Sequence, residues 1–299
     1  MTQQSIAEAM GFARNAKLLI VHADDLGLSC STNIAAMRAF ERGAITSGSV
    51  MVPCPWFADF AAYYRAHPQL DVGVHATLTA EWANYRWGGV LPANEIPSLL
   101  DRHGFLHATV EQVARHADAS EAERELRAQI ERAIAFGIEP THLDTHMGSV
   151  LARPELVDVY LRLGKEFGLP VLVPLRGFSS DVSAYVRAAR AMGFPVLDGL
   201  YMMHSHDPTT SWPHAYGEMI EAMGPGLNQL IVHLSLDDAE MQAIAIDHPD
   251  FGSAWRQQDL DFVLSQTFRR QIEANDVTLV SWSQVRAASR LQAVTRVSG

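Results

Sequence analysis

Residues 17–31 read KLLIVHADDLGLSCS, and this stretch limits the possible folds more than any other. Leu18-Leu19-Ile20-Val21 is a continuous apolar run. That is the pattern of a strand buried on both faces, as in parallel sheets covered by helices. The run breaks at His22-Ala23-Asp24-Asp25, with Gly27 behind. Acids at the carboxyl end of such a strand lie where α/β folds gather their chemistry. Two adjacent carboxylates repel, so the pair calls for a positive group, of which a metal cation is the simplest. The plainer alternative is that Asp25 or Ser29 only caps the next helix.

The rest of the chain alternates in the same way. Helical patterns cover residues 31–42, 56–67, 120–136, 154–167, 182–192, 215–223, 258–274 and 281–290. The strongest, at 120–136, offers a Ser120–Glu123 capping box and an apolar stripe of Leu126, Ile130 and Ile134. Between them lie strand patterns at 45–52, 70–78, 141–147, 170–174, 196–200, 227–235 and 277–280. No linker or composition shift interrupts the series, and 299 residues at 48% hydrophobic content can bury a large core. The pattern predicts an α/β chain forming one domain over 1–299, a single TIM-like (β/α) barrel of seven or eight units. A doubly wound sheet is the alternative.

The alternation fails once, between residues 79 and 109. This segment holds Trp82, Tyr85, Trp87, Gly88, Gly89, Pro92 and Pro97. It is longer than ordinary βα loops, and its rings argue against disorder. It is expected as a long aromatic-rich insertion after the third strand. Trp82, Tyr85 and Trp87 either line a functional lid over a binding cleft or pack the insertion onto the barrel.

Composition excludes several classes. A net charge of -11 repels phosphate backbones, so nucleic acid is not an expected partner. Two cysteines, Cys30 and Cys54, form neither a disulfide framework nor a cysteine-type zinc site, and read as core or near-core residues. The first fifteen residues lack the basic and apolar regions of a signal peptide, and no apolar run is long enough to span a membrane. A cytoplasmic protein is the expectation.

Three predicted strand ends carry metal-ligating side chains: Asp25 on the first, His75 on the third and His146 on the fourth. In a parallel barrel these ends share one face. Two imidazoles and a carboxylate can bind one divalent ion while leaving positions open, and the set favours zinc over magnesium, which prefers oxygen. On the fourth strand His142, Asp144 and His146 alternate with Leu143 and Thr145, so the polar groups share a face and need partners. Asp144 can orient a ligand from behind. The HxxxH spacing resembles a helical zinc motif, but its Glu is missing and the context is a strand.

The blocks KLLIVHADDLGLS, ITSGSVMV, LDVGVHATLT and PTHLDTHMG, in this order, resemble the YdjC-like carbohydrate deacetylase family, which includes chitooligosaccharide and hopanoid-biosynthesis deacetylases. The resemblance is good over residues 17–167 and weaker beyond. It implies a β/α barrel and metal-dependent hydrolysis of an N-acetyl amide on a sugar. It implies Asp25, His75 and His146 as ligands, Asp24 as catalytic base, and His233 in LIVHLS, a looser match, as general acid. After His146 many members continue with further histidines and a His-Met-Phe-Pro stretch. Here the chain reads Met147-Gly148-Ser149-Val150, which changes the wall on the substrate side.

Elementary chemistry agrees with that assignment. A bound divalent ion polarises a carbonyl and acidifies water, a neighbouring carboxylate takes the proton, and an imidazole protonates the leaving amine. Arg176, after the fifth strand, is a candidate for holding Asp24 on the substrate side, or else a solvated loop arginine. The expected partner is an N-acetylated oligosaccharide or glycolipid, and a homodimer is compatible with the sequence. Two other readings stand beside this one. One is a glycosidase with paired carboxylates, active without metal. The other is a metal-containing barrel that binds a sugar or a protein without turnover.

Overall fold

The computed structural model describes residues 5–175, 183–204 and 211–297. Seven strands occur among them: β1 (Lys17–Leu26), β2 (Ser47–Val50), β3 (Val72–Ala76), β4 (Leu143–Thr145), β5 (Gly199–Tyr201), β6 (Gly226–His233) and β7 (Val277–Leu279). Every ladder is parallel. The order is β4-β3-β2-β1-β6-β5, with β7 paired to the first residues of β1. This order is cyclic and has no reversal of the kind that marks a doubly wound sheet. The result is a curled, barrel-like parallel sheet. The regular strands do not close a ring of seven or eight units. The predicted fifth strand contributes only the isolated bridges Leu143–Val171 and Pro174–Leu197, between a helix ending in a left-handed Gly168 and the chain beyond.

The period of two along β1 sorts its side chains. Leu19, Val21 and Ala23 join the large core between sheet and helices. Leu18 and Ile20 point the other way, into a smaller cluster with Leu172, Leu197, Leu227, Val280 and Trp282. Above that apolar floor the same face carries His22 and Asp24, both buried. Gly73 on β3 leaves room for the imidazole of His142, which a Cβ there would meet at 2.5 Å. His142 in turn stacks on Trp282 at 4.9 Å.

Ser29, not Asp25, is the N-cap of the helix Cys30–Glu41, accepting from the Thr32 N–H. Both acids of β1 are therefore available to the site. The helix Ala119–Ala135 is capped by Asp118, which accepts from Ser120 and Glu121 N–H. The Ser120–Glu123 box does not form because the helix starts a residue earlier than the pattern indicates. Cys30 is half-buried and Cys54 buried, both unbonded.

Residues 79–109 hold one short 3-10 turn, Pro97–Leu99, and are tied to themselves by the bridges Thr79–His107 and Leu100–Leu106. Among the described residues no helix is long and apolar enough to cross a membrane.

Candidate metal centre and active site

Asp25, His75 and His146 converge at the carboxyl ends of β1, β3 and β4. They are buried, and one ligand atom from each lies within 4.8 Å of the others. Asp25 Oδ1 is 3.4 Å from His75 Nε2 and 3.2 Å from His146 Nδ1. It accepts no hydrogen bond. A buried carboxylate oxygen without a donor is costly unless something positive faces it.

Consecutive strand residues ordinarily point to opposite faces. The β1–β2 register slips between Ala23 and Leu26, and Asp25 adopts a left-handed backbone with φ 65. This bulge brings the neighbours Asp24 and Asp25 into one site. Gly27 makes the turn that follows, where φ is +84 and a Cβ would meet Phe57 Cα at 3.0 Å.

Each of the three has a partner on its far side. Asp25 Oδ2 accepts from Arg256 at 2.7 Å. His75 Nδ1 lies 2.7 Å from Asp144 Oδ1, and His146 Nε2 lies 2.9 Å from Glu81 Oε2. Asp144 Oδ2 accepts from Ser49 Oγ at 2.7 Å and pairs with His22 Nε2 at 2.9 Å. A ring nitrogen that binds metal must be free of hydrogen, and a carboxylate on the other nitrogen fixes that tautomer.

Asp24 stands beside this cluster. Its Oδ1 is 3.2 Å from His22 Nε2, and its Oδ2 is 3.8 Å from His75 Nε2 and 3.9 Å from His233 Nε2. Asp24 and His233 are register partners on β1 and β6, so the sheet itself sets them side by side. The His233 backbone N–H donates to Asp259 Oδ2 at 2.9 Å.

Four carboxylates, Asp24, Asp25, Asp144 and Glu81, thus surround these rings, and of the four only Asp25 pairs with a guanidinium, Arg256, among the described residues. Burial opposes the charge on Asp25, yet Arg256 and the two imidazoles hold its carboxyl well below the usual range. Burial lowers the affinity of His146 for a proton, but Glu81 and Asp25 push its pKa up to about 9. Burial also works against a charged His75, and Asp144 and Asp24 outweigh it, raising that ring well above 6.5. A potential that draws protons onto two imidazoles draws a divalent ion in their place, with release of those protons. The donor set therefore fits such an ion. His233 is unlike these two: burial lowers its pKa to about 4, which leaves it neutral at pH 7.

The structure separates the two expectations for the insertion. Trp82 is 1% exposed and Trp87 3%, so neither offers an open face to a sugar. Trp82 lies under the Arg256 guanidinium, 5.7 Å from its ring centre. Trp87 packs 6.2 Å from the His146 ring and donates to Thr79 O. Half-buried Tyr85 spends its hydroxyl on Leu28 O at 2.7 Å. The rings anchor the insertion, because the space they would need as a platform is filled by the protein. Arg176 lies outside the described residues.

Sequence reasoning passed over Arg256, Glu81, Ser49 and Asp259. The available signal for two of them was Arg256 and Asp259 at a spacing of three among the apolar residues Trp255, Leu260 and Phe262. That pattern puts charges on a helix face that should be buried.

The family model described as YdjC-like protein matches residues 18–274. A carbohydrate deacetylase of Thermus thermophilus is 34% identical over 291 residues, covering 91% of this chain and 95% of that protein. A chitooligosaccharide deacetylase of Serratia marcescens is 33% identical over 158 residues, covering 52% of this chain and 58% of that one. Among solved structures, an Enterococcus faecalis protein described as a candidate for cellobiose-phosphate cleavage superposes with a TM-score of 0.77 at 23% identity, covering 90% of this chain and 99% of that chain.

Proposed function

This chain belongs to the YdjC-like family, and from that premise we propose that it is a metal-dependent deacetylase hydrolysing the N-acetyl amide of a sugar, with the whole chain acting as one domain. The observation that carries the reading is the buried, donorless Asp25 Oδ1 facing His75 Nε2 and His146 Nδ1. Asp25, His75 and His146 would hold the ion, with zinc favoured by two nitrogens and one oxygen. Bound there, the ion supplies Lewis acidity toward the acetamide carbonyl and toward water.

The chain's own residues account for the proton movements. Asp24 accepts the proton of the attacking water, and His22 Nε2 at 3.2 Å from its Oδ1 steadies the carboxylate. His233, whose Nε2 lies 3.9 Å from Asp24 Oδ2 and so exchanges a proton with it through one bridging water rather than directly, passes the proton that Asp24 acquired to the nitrogen of the departing amine. The products are acetate and the free amino sugar. Arg256 holds Asp25 by its other oxygen and leaves Oδ1 free.

The substrate class is an N-acetylated oligosaccharide or glycolipid. The test is acetate release from a panel of N-acetylated sugars by protein assayed for metal before and after chelation. Turnover that survives complete metal removal, or an absence of bound metal in active protein, rules the reading out.

A further inference from the structure

We propose that Glu81 positions His146 for the metal, and that the aromatic insertion is built to hold Glu81 in place rather than to bind sugar. The inference rests on the metal reading above.

His146 presents Nδ1 toward Asp25 Oδ1 at 3.2 Å and Nε2 toward Glu81 Oε2 at 2.9 Å. With Nδ1 free for a ligand bond, the hydrogen must sit on Nε2, and Glu81 accepts it there. The corresponding partner of His75 is Asp144, a sheet residue two positions before His146 on the same chain segment. Glu81 comes from the insertion instead. Its side chain is 11% exposed. Among the described residues it forms no ion pair with a lysine or arginine. A nearly buried carboxylate aimed at a single imidazole is costly without a purpose at that ring.

The surrounding segment explains how Glu81 stays there. On its amino side Ala80 N–H donates to His107 O at 2.8 Å, and Thr79 bridges His107. On its carboxyl side Trp82 is sealed under Arg256, and the Trp87 indole ties back to Thr79 O at 3.0 Å. Further along, the fully buried Glu125 accepts from Val90 and Leu91 N–H at 2.8 and 3.0 Å. The insertion is fastened on both sides of Glu81, which suits a carboxylate that holds a ligand ring at a fixed angle.

The experiment measures zinc affinity of the full chain by competition with a chromophoric chelator, for wild type, Glu81→Ala, Glu81→Gln and Glu95→Gln. Glu95 is an exposed residue of the same insertion. Glu81→Ala is expected to bind zinc 10–100-fold more weakly. Glu81→Gln should lose less, because an amide oxygen still accepts from Nε2–H, and Glu95→Gln should match wild type. At saturating zinc, KM for an N-acetylated chitooligosaccharide should stay at the wild-type value in Glu81→Gln. Glu81→Gln keeps shape and packing, so it reports even where Glu81→Ala fails to fold. Wild-type zinc affinity in both Glu81 variants overturns the inference alone. So does equal weakening in Glu95→Gln. A wild-type protein that binds no zinc overturns the metal reading and the inference together.

Discussion

Arg256 offers the most informative single perturbation. Its guanidinium is 2% exposed and donates through one nitrogen to Asp25 Oδ2 at 2.7 Å. A second nitrogen donates to Phe251 O at 2.6 Å. Arg256→Met keeps most of the apolar stem over Trp82 but removes the charge. Asp25 then loses its guanidinium partner and keeps only the His75 and His146 rings, at 3.4 and 3.2 Å from Oδ1, and breaking a buried pair of this kind costs about 3–5 kcal/mol. With an unfolding entropy of about 2.1 cal/mol/K per residue, this 299-residue chain has about 0.6 kcal/mol/K in total. The metal-free variant should therefore melt about 5–8 °C below metal-free wild type.

The pH dependence carries the sign of the argument. Asp25 has a depressed pKa, so its contribution is full above the unfolded value near 3.9 and fades as pH falls through the folded value. In Arg256→Met burial still disfavours the ion and only the two imidazoles oppose it, so the carboxyl takes up its proton at a higher pH than in wild type. The gap between variant and wild type should be widest near pH 7 and should narrow toward pH 4. Saturating zinc should also narrow it at pH 7, because the ion replaces the missing charge. Calorimetric melting of chelated and zinc-loaded protein at both pH values checks all of this. A metal-free variant within about 1 °C of wild type at pH 7 would refute the claim that Arg256 neutralises Asp25.

Asp24→Asn should keep full zinc content and lose about 10²–10⁴-fold in the rate of acetate release, since a base is removed and no ligand is. Asp25→Asn should lose zinc first and recover part of its activity in excess metal; the reverse pattern of metal loss between the two variants means the roles are exchanged. His22, fully buried, has burial working against its charge, but Asp144 and Asp24 raise its pKa to about 9. Because the folded value lies above the unfolded 6.5, metal-free protein should hold this stabilisation below pH 6.5 and lose about 3 kcal/mol of it as pH rises through 9. Denaturant melts from pH 6 to 10 should show that slope in wild type and a flatter one in His22→Gln. Gly73→Ala drives a methyl group to 2.5 Å from the His142 ring, and should give little folded protein by circular dichroism.

What could be read from the sequence was what lies in one strand. The run before Asp24 fixed a doubly buried β1, and the period of two placed His142, Asp144 and His146 on one face. Three candidate ligands, one Asp and two His, at three strand ends followed from the topology alone. What could not be read depends on contacts between distant segments. Arg256 reaches Asp25 across 231 residues, and Ser49 reaches Asp144 across 95. The aromatic insertion stayed open between two readings for a related reason. Trp82 and Trp87 have the composition of a sugar platform, but whether a ring is covered depends on what packs over it, here Arg256 and the His146 edge. The fifth strand misled because a short run between Pro170 and Pro174 has too few free N–H groups to ladder fully, and it survives as bridges.

The left-handed backbone of Asp25 connects these observations. An L-residue in that region costs about 1–2 kcal/mol relative to an ordinary conformation, and glycine would remove the cost. Asp25 cannot be glycine without losing both the Arg256 pair and the oxygen aimed at His75 and His146. A regular strand would spare the strain but would turn one of the two acids out of the site. Asp24 would then face His22 and His233 without its neighbour, or Asp25 would face the imidazoles without a base beside it. The bulge between Ala23 and Leu26 is thus the local distortion that brings two adjacent acids into one site, as their two proposed roles require. Its strain is smaller than the roughly 3–5 kcal/mol at stake in the buried Asp25–Arg256 pair. The helix is capped instead by Ser29, which leaves Asp25 with one oxygen on the Arg256 guanidinium and the other facing the two imidazoles.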